Sequence, residues 1–527
     1  VARDNALFEL VKEKQPQASQ DCFKSACFPP DDFGSNLSGQ YCREQGMAPA
    51  VEILHPQILS DDGLIARLAE IVGEKNILTD PADMAGFLSE PRDLFHGKAR
   101  CVARPGTVQE VAALVKLCAQ TATAIVPQGG NTGLVGGQIP DETGKAIVLS
   151  LGRLKSLREI DLASNTMIVE AGMTLAQVQE EAERVGRLFP LSLASEGSCT
   201  IGGNLATNAG GTAVIAYGNA RDLVLGLEVV LADGRILSNL SKLKKDNTGY
   251  DLKHLFMGSE GTLGIITAAV LKLYPKPRAT ETAFIGLASP SNALALLDLA
   301  RDMAGGEITA FELIPRIGVD FVLRHGEGAR DVLDQQHAWY VLLELTSQNK
   351  DGLGELMLAL LQVGAEKGIV EDAAIAASQA QRKDFWVLRE LLSEVQSREG
   401  GSIKHDVSVP VAAVPAFLSE VEQAVTVAMP GARLVPFGHL GDGNIHCNVS
   451  QPIGADKEAF LARWDEINDI VHAIVATHHG SISAEHGIGQ LKRELLPRVK
   501  DPVALDMMRT LKAALDPQNI LNPGKLL

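Results

Sequence analysis

The sequence predicts an α+β protein in which a cofactor-binding domain precedes a separate substrate domain. Three observations carry this expectation. From Ala103 to about Pro275, short β-branched runs alternate with helical patterns and glycine-rich turns. Pro275 and Pro277 then break the pattern. Between 279 and 500, apolar runs such as Tyr340–Leu345 alternate with long Ala/Leu-rich helices, as in an α+β layer.

Residues 47–94 form an entry segment, helical in pattern over 58–93. In the region 95–275, Ala124–Pro127, Ala146–Leu149, Met167–Glu170 and Leu225–Leu231 read as strands, and Val108–Thr121 and Leu175–Val185 as amphipathic helices. Residues 279–500 make the second domain. The segment 501–527 ends in a turn-rich tail after Asp516, expected to return to the first domain. Residues 1–46 have little periodicity and read as an extension upstream of Met47. Asp4, Glu9, Glu13, Asp21, Asp31 and Asp32 argue against an acid-poor transit peptide there.

At 527 residues the chain exceeds one ordinary core, so two or three domains are expected. A formal charge of −17 argues against general nucleic-acid binding, which needs basic surface, but leaves an acidic small substrate open. Seven cysteines in such a chain do not make a disulfide framework. No lipidation motif and no apolar run of bilayer-spanning length is expected.

The most unusual local sequence runs from Pro127 and Gln128 through Gly129, Gly130, Asn131, Thr132, Gly133 and Leu134 to Gly136 and Gly137. Five glycines in nine residues after a strand permit positive φ and bring backbone N–H groups close to an anion such as a diphosphate. No Walker A ending and no GxGxxG signature is present. A second block repeats the chemistry with Ser195, Glu196, Gly197, Ser198, Thr200, Ile201, Gly202, Gly203 and Asn204, followed by Asn208, Gly210 and Gly211. A third turn, Gly258–Gly261, leads into Gly264, Ile265 and Ile266. One such block often only joins strands tightly; three in one α/β region point to a large phosphate-bearing cofactor.

The second half holds Gly438-His439-Leu-Gly-Asp442-Gly-Asn-Ile-His446-Cys-Asn448 and Ser483-Ala-Glu485-His486-Gly-Ile-Gly. Two histidines around a glycine turn, with a glutamate elsewhere, can supply an N,N,O set to a divalent metal and leave a position open for substrate. Spacing alone does not identify the metal; zinc is the first expectation, because imidazole and carboxylate suit it. In a strand His446 and Asn448 would share a face, whereas the adjacent Glu485 and His486 would point apart and serve different ends. His478 and His479 lack the glycine context and read as structural or exposed. Arg389 could grip a carboxylate bidentately, although a helix-surface arginine is the commoner case.

The three glycine blocks resemble the FAD-binding domain of the vanillyl-alcohol oxidase (PCMH-type) family over roughly residues 95–275. The resemblance implies a two-subdomain FAD-binding fold, the diphosphate on the first glycine turn, and a cap domain bearing the metal site. Asn522 in the C-terminal segment is brought to the flavin by the same resemblance. Some members attach flavin through a histidine near the first turn; Asn131 and no histidine stands here, so non-covalent FAD is expected. The phrases His439–His446 and Glu485–Gly489 are similar to those of the D-lactate and D-2-hydroxyglutarate dehydrogenase branch. That similarity implies His439, His446 and Glu485 as zinc ligands, His486 as the base, and Asn448 beside the substrate. It also implies Arg389, Ser393 and Lys404 as substrate contacts, with His405 standing where a tyrosine is common.

The implied reaction is metal-assisted proton abstraction from a D-2-hydroxy acid, D-2-hydroxyglutarate before D-malate and D-lactate, with hydride transfer to flavin N5. A D-lactate dehydrogenase or glycolate oxidase subunit is the near alternative; a non-redox ether-lipid synthase on the same fold is the distant one. Without a nicotinamide motif or iron–sulfur cysteine spacing, the acceptor is expected to be external, an electron-transfer flavoprotein or a quinone. The oligomeric state stays open, a homodimer among the options. The compartment implied is the cytoplasm in a bacterium and the mitochondrial matrix in a eukaryote.

Overall fold

The entry segment folds as two short helices, Asp61–Val72 and Pro81–Leu88, each opened by a side-chain cap, Ser60 and Asp80 respectively. The computed structural model describes residues 59–527. The expected extension 1–46 and the start of the entry segment lie outside the described residues.

Four strands form the first sheet: β1 (Ile77–Leu78), β2 (Val102–Ala103), β3 (Ile125–Gln128) and β4 (Ile147–Ser150), in the order β1-β2-β4-β3. β2, β4 and β3 run parallel, and the crossover between β2 and β3 is the helix Val108–Thr121, whose buried stripe includes Val111, Leu114, Val115 and Cys118. β3 therefore points its C-terminal end, Gln128, into the first glycine turn.

The second sheet is antiparallel: β5 (Leu157–Asp161), β6 (Thr166–Glu170), β8 (Val224–Val230), β9 (Ile236–Asn239) and β10 (Ile265–Lys272), in the order β5-β6-β10-β8-β9. β7 (Arg187–Leu188) pairs with β11 (Tyr274–Pro275) beside it. The strands expected from 95–275 are present within two residues of their expected limits. The fold is thus the expected α+β arrangement, with two sheets supporting the glycine turns.

The remaining strands build one large sheet. β12 (Ala279–Leu287), β13 (Ile308–Pro315), β14 (Trp339–Ser347), β15 (Asp372–Ile375), β16 (Ser402–Ile403), β18 (Arg433–His439) and β19 (Asn444–Ser450) follow the order β15-β12-β14-β13-β18-β19-β16, and β17 (Asp406–Ser408) also pairs with β19. One face buries the long helices Pro290–Ala304, Leu353–Glu366, Val414–Ala428 and Trp464–Thr477 in a continuous core that includes Leu296, Met357, Phe417 and Val471.

The window Val411–Ala428 corrects one expectation, because it is long and apolar enough to cross a bilayer by length and composition. Here that helix lays Val414, Phe417, Leu418, Val421 and Val425 into the core of the sheet. Four cysteines among the described residues, Cys101, Cys118, Cys199 and Cys447, are buried free thiols.

The tail comes back to the first sheet. After the helix Pro502–Leu515, Ile125 donates its N–H to Ile520 O and Asn522 donates its own to Ile125 O, so the last turns run along β3.

Candidate active site

Strand register assembles the histidine cluster. His439 ends β18 and faces Asn444 across the hairpin, while His446 on β19 pairs with Phe437 of β18. With a side-chain period of two, Asn444, His446 and Asn448 share the face to which His439 also belongs. The outer neighbours add carboxylates: β13 sets Glu312 against His439, and β17 sets Asp406 against His446. The hairpin turn needs glycine. Gly438 and Gly443 have φ of +152° and +85°, and a Cβ at Gly443 would lie 2.2 Å from Val409 O.

Glu485 and His486 arrive on a loop and do point apart. Glu485 faces the histidines, with its carboxylate oxygens 3.6 Å from His439 Nε2 and 3.9 Å from His446 Nε2. His486 turns toward Asp406, with Nδ1 3.6 Å from Oδ2. The buried Asp406 carboxylate accepts the N–H groups of Glu485 and His486, both at 2.9 Å, and Nδ2 of Asn444 at 3.0 Å. Glu312, fully buried, accepts from His439 Nδ1 at 2.7 Å and from Arg389 Nε at 2.6 Å.

The electrostatics follow from burial and these pairings. Burial pulls His486 down to about 4, against the opposing pull of Asp406. Burial pushes Glu485 up to about 7, with His439 opposing. Burial lowers His439, but Glu312 outweighs it and brings the imidazole up to about 9. Burial holds His446 well below the usual histidine range.

His439 Nε2, His446 Nε2 and the Glu485 carboxylate converge without a hydrogen bond, and Glu312 already holds the other nitrogen of His439. Such an N,N,O set suits a divalent cation. A second grouping, Asp406, His446, Glu485 and His486, has one donor atom from each within 4.8 Å of the others. It shares His446 and Glu485 with the first, but the oxygens of Asp406 are already engaged by three N–H donors.

These side chains open onto a cavity of 1320 Å³, above the roughly 300–1,000 Å³ of an ordinary small-molecule site. The glycine blocks form its other wall: Pro127 to Leu134 and Gly137, then Ser195, Glu196, Thr200, Gly202 to Asn204, Gly210, Gly211 and Gly264 to Ile266. They fit closely together. A Cβ on Gly129 would lie 2.3 Å from Thr200 Oγ1, one on Gly130 1.9 Å from Ser198 O, and one on Gly261 2.5 Å from Pro127 Cγ. Thr200 Oγ1 and Asn131 Oδ1 are buried there with no partner among the described residues, polar groups that an extended cofactor would satisfy.

Arg389, Ser393, Lys404, Asn448 and His486 line the same cavity. Arg389 stacks 4.9 Å over the Phe437 ring, and its Nε bond to Glu312 leaves the two terminal nitrogens. Lys404 donates to Ser393 O at 3.0 Å. Asn448 accepts from His405 N and donates to Gln396 Oε1, so it also braces the strands. His405, buried and pulled down to about 3 by burial and then His472, bonds Cys447 O.

Other expected cofactor residues do not reach the cavity wall. Gly136 packs under Phe95, and Gly197 is open on its turn. Ser198 closes the second turn through its backbone, Ile201 is in the core, and Asn208 accepts from Arg221 N. Asn522 donates to Gly137 O and Glu260 O, which ties the tail to two glycine turns. The spacing of small and amide residues marks the blocks but does not separate wall from brace.

Sequence reasoning missed Glu312, Asp406, Glu260 and Arg92. Glu260 (φ +53°) takes the N–H groups of Ile488 and Gly489 at 2.7 and 2.8 Å, clamping the Glu485–Gly489 loop to the third glycine turn. Asp406 stands two residues after Lys404, and that was the available signal.

Two sheets presenting glycine turns to a large cavity, opposite a histidine–carboxylate cluster on a cap sheet, define an FAD-linked oxidoreductase. Residues 99–239 match the family described as "FAD binding domain", and residues 276–526 match "FAD linked oxidases, C-terminal domain". Solved structures of p-cresol methylhydroxylase (TM-score 0.70, 16% identity, 88% of this chain and 96% of that one) and alkyldihydroxyacetonephosphate synthase (0.67, 18%, 90% and 87%) share the PCMH-type fold. D-2-hydroxyglutarate dehydrogenase of Bos taurus is 38% identical over 90% of this chain and 85% of its own length. The Arabidopsis thaliana enzyme is 37% identical over 88% and 81%, and the Xanthomonas citri enzyme 37% over 88% and 97%. The chain belongs to the D-2-hydroxyglutarate dehydrogenase family of FAD-linked oxidases.

Proposed function

We propose that the chain oxidises D-2-hydroxyglutarate to 2-oxoglutarate, and the observation that supports this is a cavity lined by Arg389, Lys404 and His486 in a chain 37–38% identical to enzymes of that name. In the reaction the substrate O–H and Cα–H bonds break and a C=O bond forms; two electrons and a hydrogen leave for the cofactor, and the hydroxyl proton leaves to a base. FAD, held non-covalently by the glycine turns, supplies the two-electron acceptor. A divalent cation, zinc by the chemistry of its donors, would be held by His439, His446 and Glu485 and would supply Lewis acidity toward the hydroxyl oxygen.

The protein's own groups do the rest. His486 is uncharged near neutral pH, with Nδ1 facing Asp406, so Nε2 is the atom that receives the hydroxyl proton. Asp406 holds the backbone N–H of His486 and, 3.6 Å from the ring, would offset its charge once protonated. Arg389 meets a substrate carboxylate with its terminal nitrogens, while Glu312 holds it and His439 in one hydrogen-bonded line. Ser393 and Lys404 add polar contacts, and Asn448 offers its amide beside His446. Electrons then pass to an external acceptor, an electron-transfer flavoprotein or a quinone. A eukaryotic source would place this work in the mitochondrial matrix and a bacterial one in the cytoplasm.

Anaerobic mixing with D-2-hydroxyglutarate should bleach the flavin absorbance faster than D-malate or D-lactate does, and chelation should slow it. A flavin left oxidised by all three acids would overturn the assignment.

A further inference from the structure

Arg92 is delivered to the cavity by a built turn. The carboxylate of the buried Glu90 accepts the backbone N–H of Arg92 at 2.7 Å and of Leu94 at 2.6 Å, so both of its oxygens are spent on the turn. Asn131 then ties the turn to the first glycine loop by donating to Ser89 O at 2.8 Å. Phe95 lies against Gly136 of that loop, and Gln490, just past the base-bearing segment, donates to Gly136 O at 2.8 Å and to Val135 O at 2.8 Å. The Arg92 turn and the His486 loop are thus seated on the same stretch of glycine loop.

The half-buried Arg92 lines the cavity together with Lys404 and His486, and its guanidinium has no hydrogen-bond or ion-pair partner among the described residues. Lys404 spends one N–H on Ser393 O and keeps two. Burial and then the charge of Arg92 hold Lys404 down at about 8. Of the carboxylates that act on Arg92, Glu90 gives both oxygens to the backbone of its own turn, and Asp406 already accepts from three N–H donors. Two cations lining one cavity without an ion-pair partner among the described residues call for an anion from the ligand.

We propose that Arg92, supplied by the entry segment, binds substrate and sets specificity, closing with Lys404 of the cap a two-cation receptor for one carboxylate of a dicarboxylate. This rests on the substrate class proposed above. The receptor would draw its halves from residues 312 positions apart, so it exists only when cap and entry segment are assembled.

The test uses the flavin-loaded enzyme and its R92Q and R92K variants, checked for flavin content and melting temperature. Glutarate and butyrate, which differ by one carboxylate, are titrated against the visible spectrum of the oxidised flavin. R92Q should weaken glutarate about 10- to 100-fold, the range for losing a hydrogen bond to a charged group, and butyrate by at least threefold less. R92K should recover part of the glutarate affinity. Equal weakening of both ligands, unchanged glutarate affinity, or a wild type that does not prefer glutarate overturns the receptor. If R92Q loses flavin, the same comparison is made on R92K, where a selective loss of glutarate supports the receptor and a parallel loss refutes it. Failure of D-2-hydroxyglutarate to bleach the wild-type flavin is a separate result and strikes the proposed function instead.

Discussion

His486 has the surroundings that the proposed base requires, on a half-buried imidazole. Its environment penalises the charged form, so the ring is neutral well below pH 7, and Asp406 compensates when the proton arrives. His486→Ala should slow anaerobic flavin reduction by about 10²–10⁴-fold, as lost general-base catalysis does, with flavin content unchanged. A depressed pKa also fixes the base's own pH response: with protonation setting in only near pH 4, His486 should contribute no fall in reduction between pH 8 and pH 6, the interval in which Glu485 and Lys404 titrate. A tenfold fall across that interval in a stopped-flow pH series, present in the wild type and absent from His486→Ala, would mean that His486 titrates there instead. Glu312 works differently, since it holds His439 and Arg389 at once, and these partners explain why a fully buried carboxylate stays ionised. Burial pushes its pKa up, yet His439 and Arg389 bring it to about 2.

At the scale of elements, the glycine turns are specified by collisions as much as by conformation. Gly130 faces the Ser198 carbonyl so closely that any Cβ forces two loops apart, whereas a Cβ on Gly197 meets nothing within 4 Å. Gly130→Ala should therefore yield protein with little bound flavin, and Gly197→Ala should keep the wild-type ratio of visible to ultraviolet absorbance. Equal flavin content in the two variants would dissociate the packing of the turns from cofactor retention. This contrast also marks what the sequence could tell. Glycine density announces a turn that needs close approach, so the blocks were legible one by one. It does not say which glycine is crowded, because the crowding atom belongs to another block some 70 residues on.

The same reasoning extends to the whole molecule. His439, His446, Glu485 and His486 were legible because they sit in short, glycine-flanked phrases. Glu312 was not: it lies 127 residues from His439 on a plain strand, and only the order β13-β18-β19 makes them neighbours. Arg92 and Glu260 were hidden for the same reason, since long-range pairing leaves no local periodicity. Stability also depends on such distant joints. Burial pushes the Glu399 carboxyl up, but hydrogen bonds from Arg433, His325 and Arg324 bring it to about 2. A carboxylate whose folded pKa is depressed stabilises the fold above its unfolded pKa near 4.3, and loses that contribution as pH falls toward 2. Thermal unfolding should thus show Glu399→Gln to be destabilised at pH 7, with the difference from wild type narrowing below pH 4. A constant difference across that interval would exclude the linkage.

The Glu260 clamp bears on how such an enzyme could be shuffled. The two family matches leave an inviting splice near residue 276, yet the loop carrying Glu485 and His486 is fastened upstream of it, to Glu260 and Val135, and the final turns to Ile125. A recombinant that replaces everything after the splice inherits a donor loop reaching for a recipient's carboxylate. Compatible parents must agree at those anchoring positions, so the heritable unit of this active site is a scattered set of residues rather than a cassette.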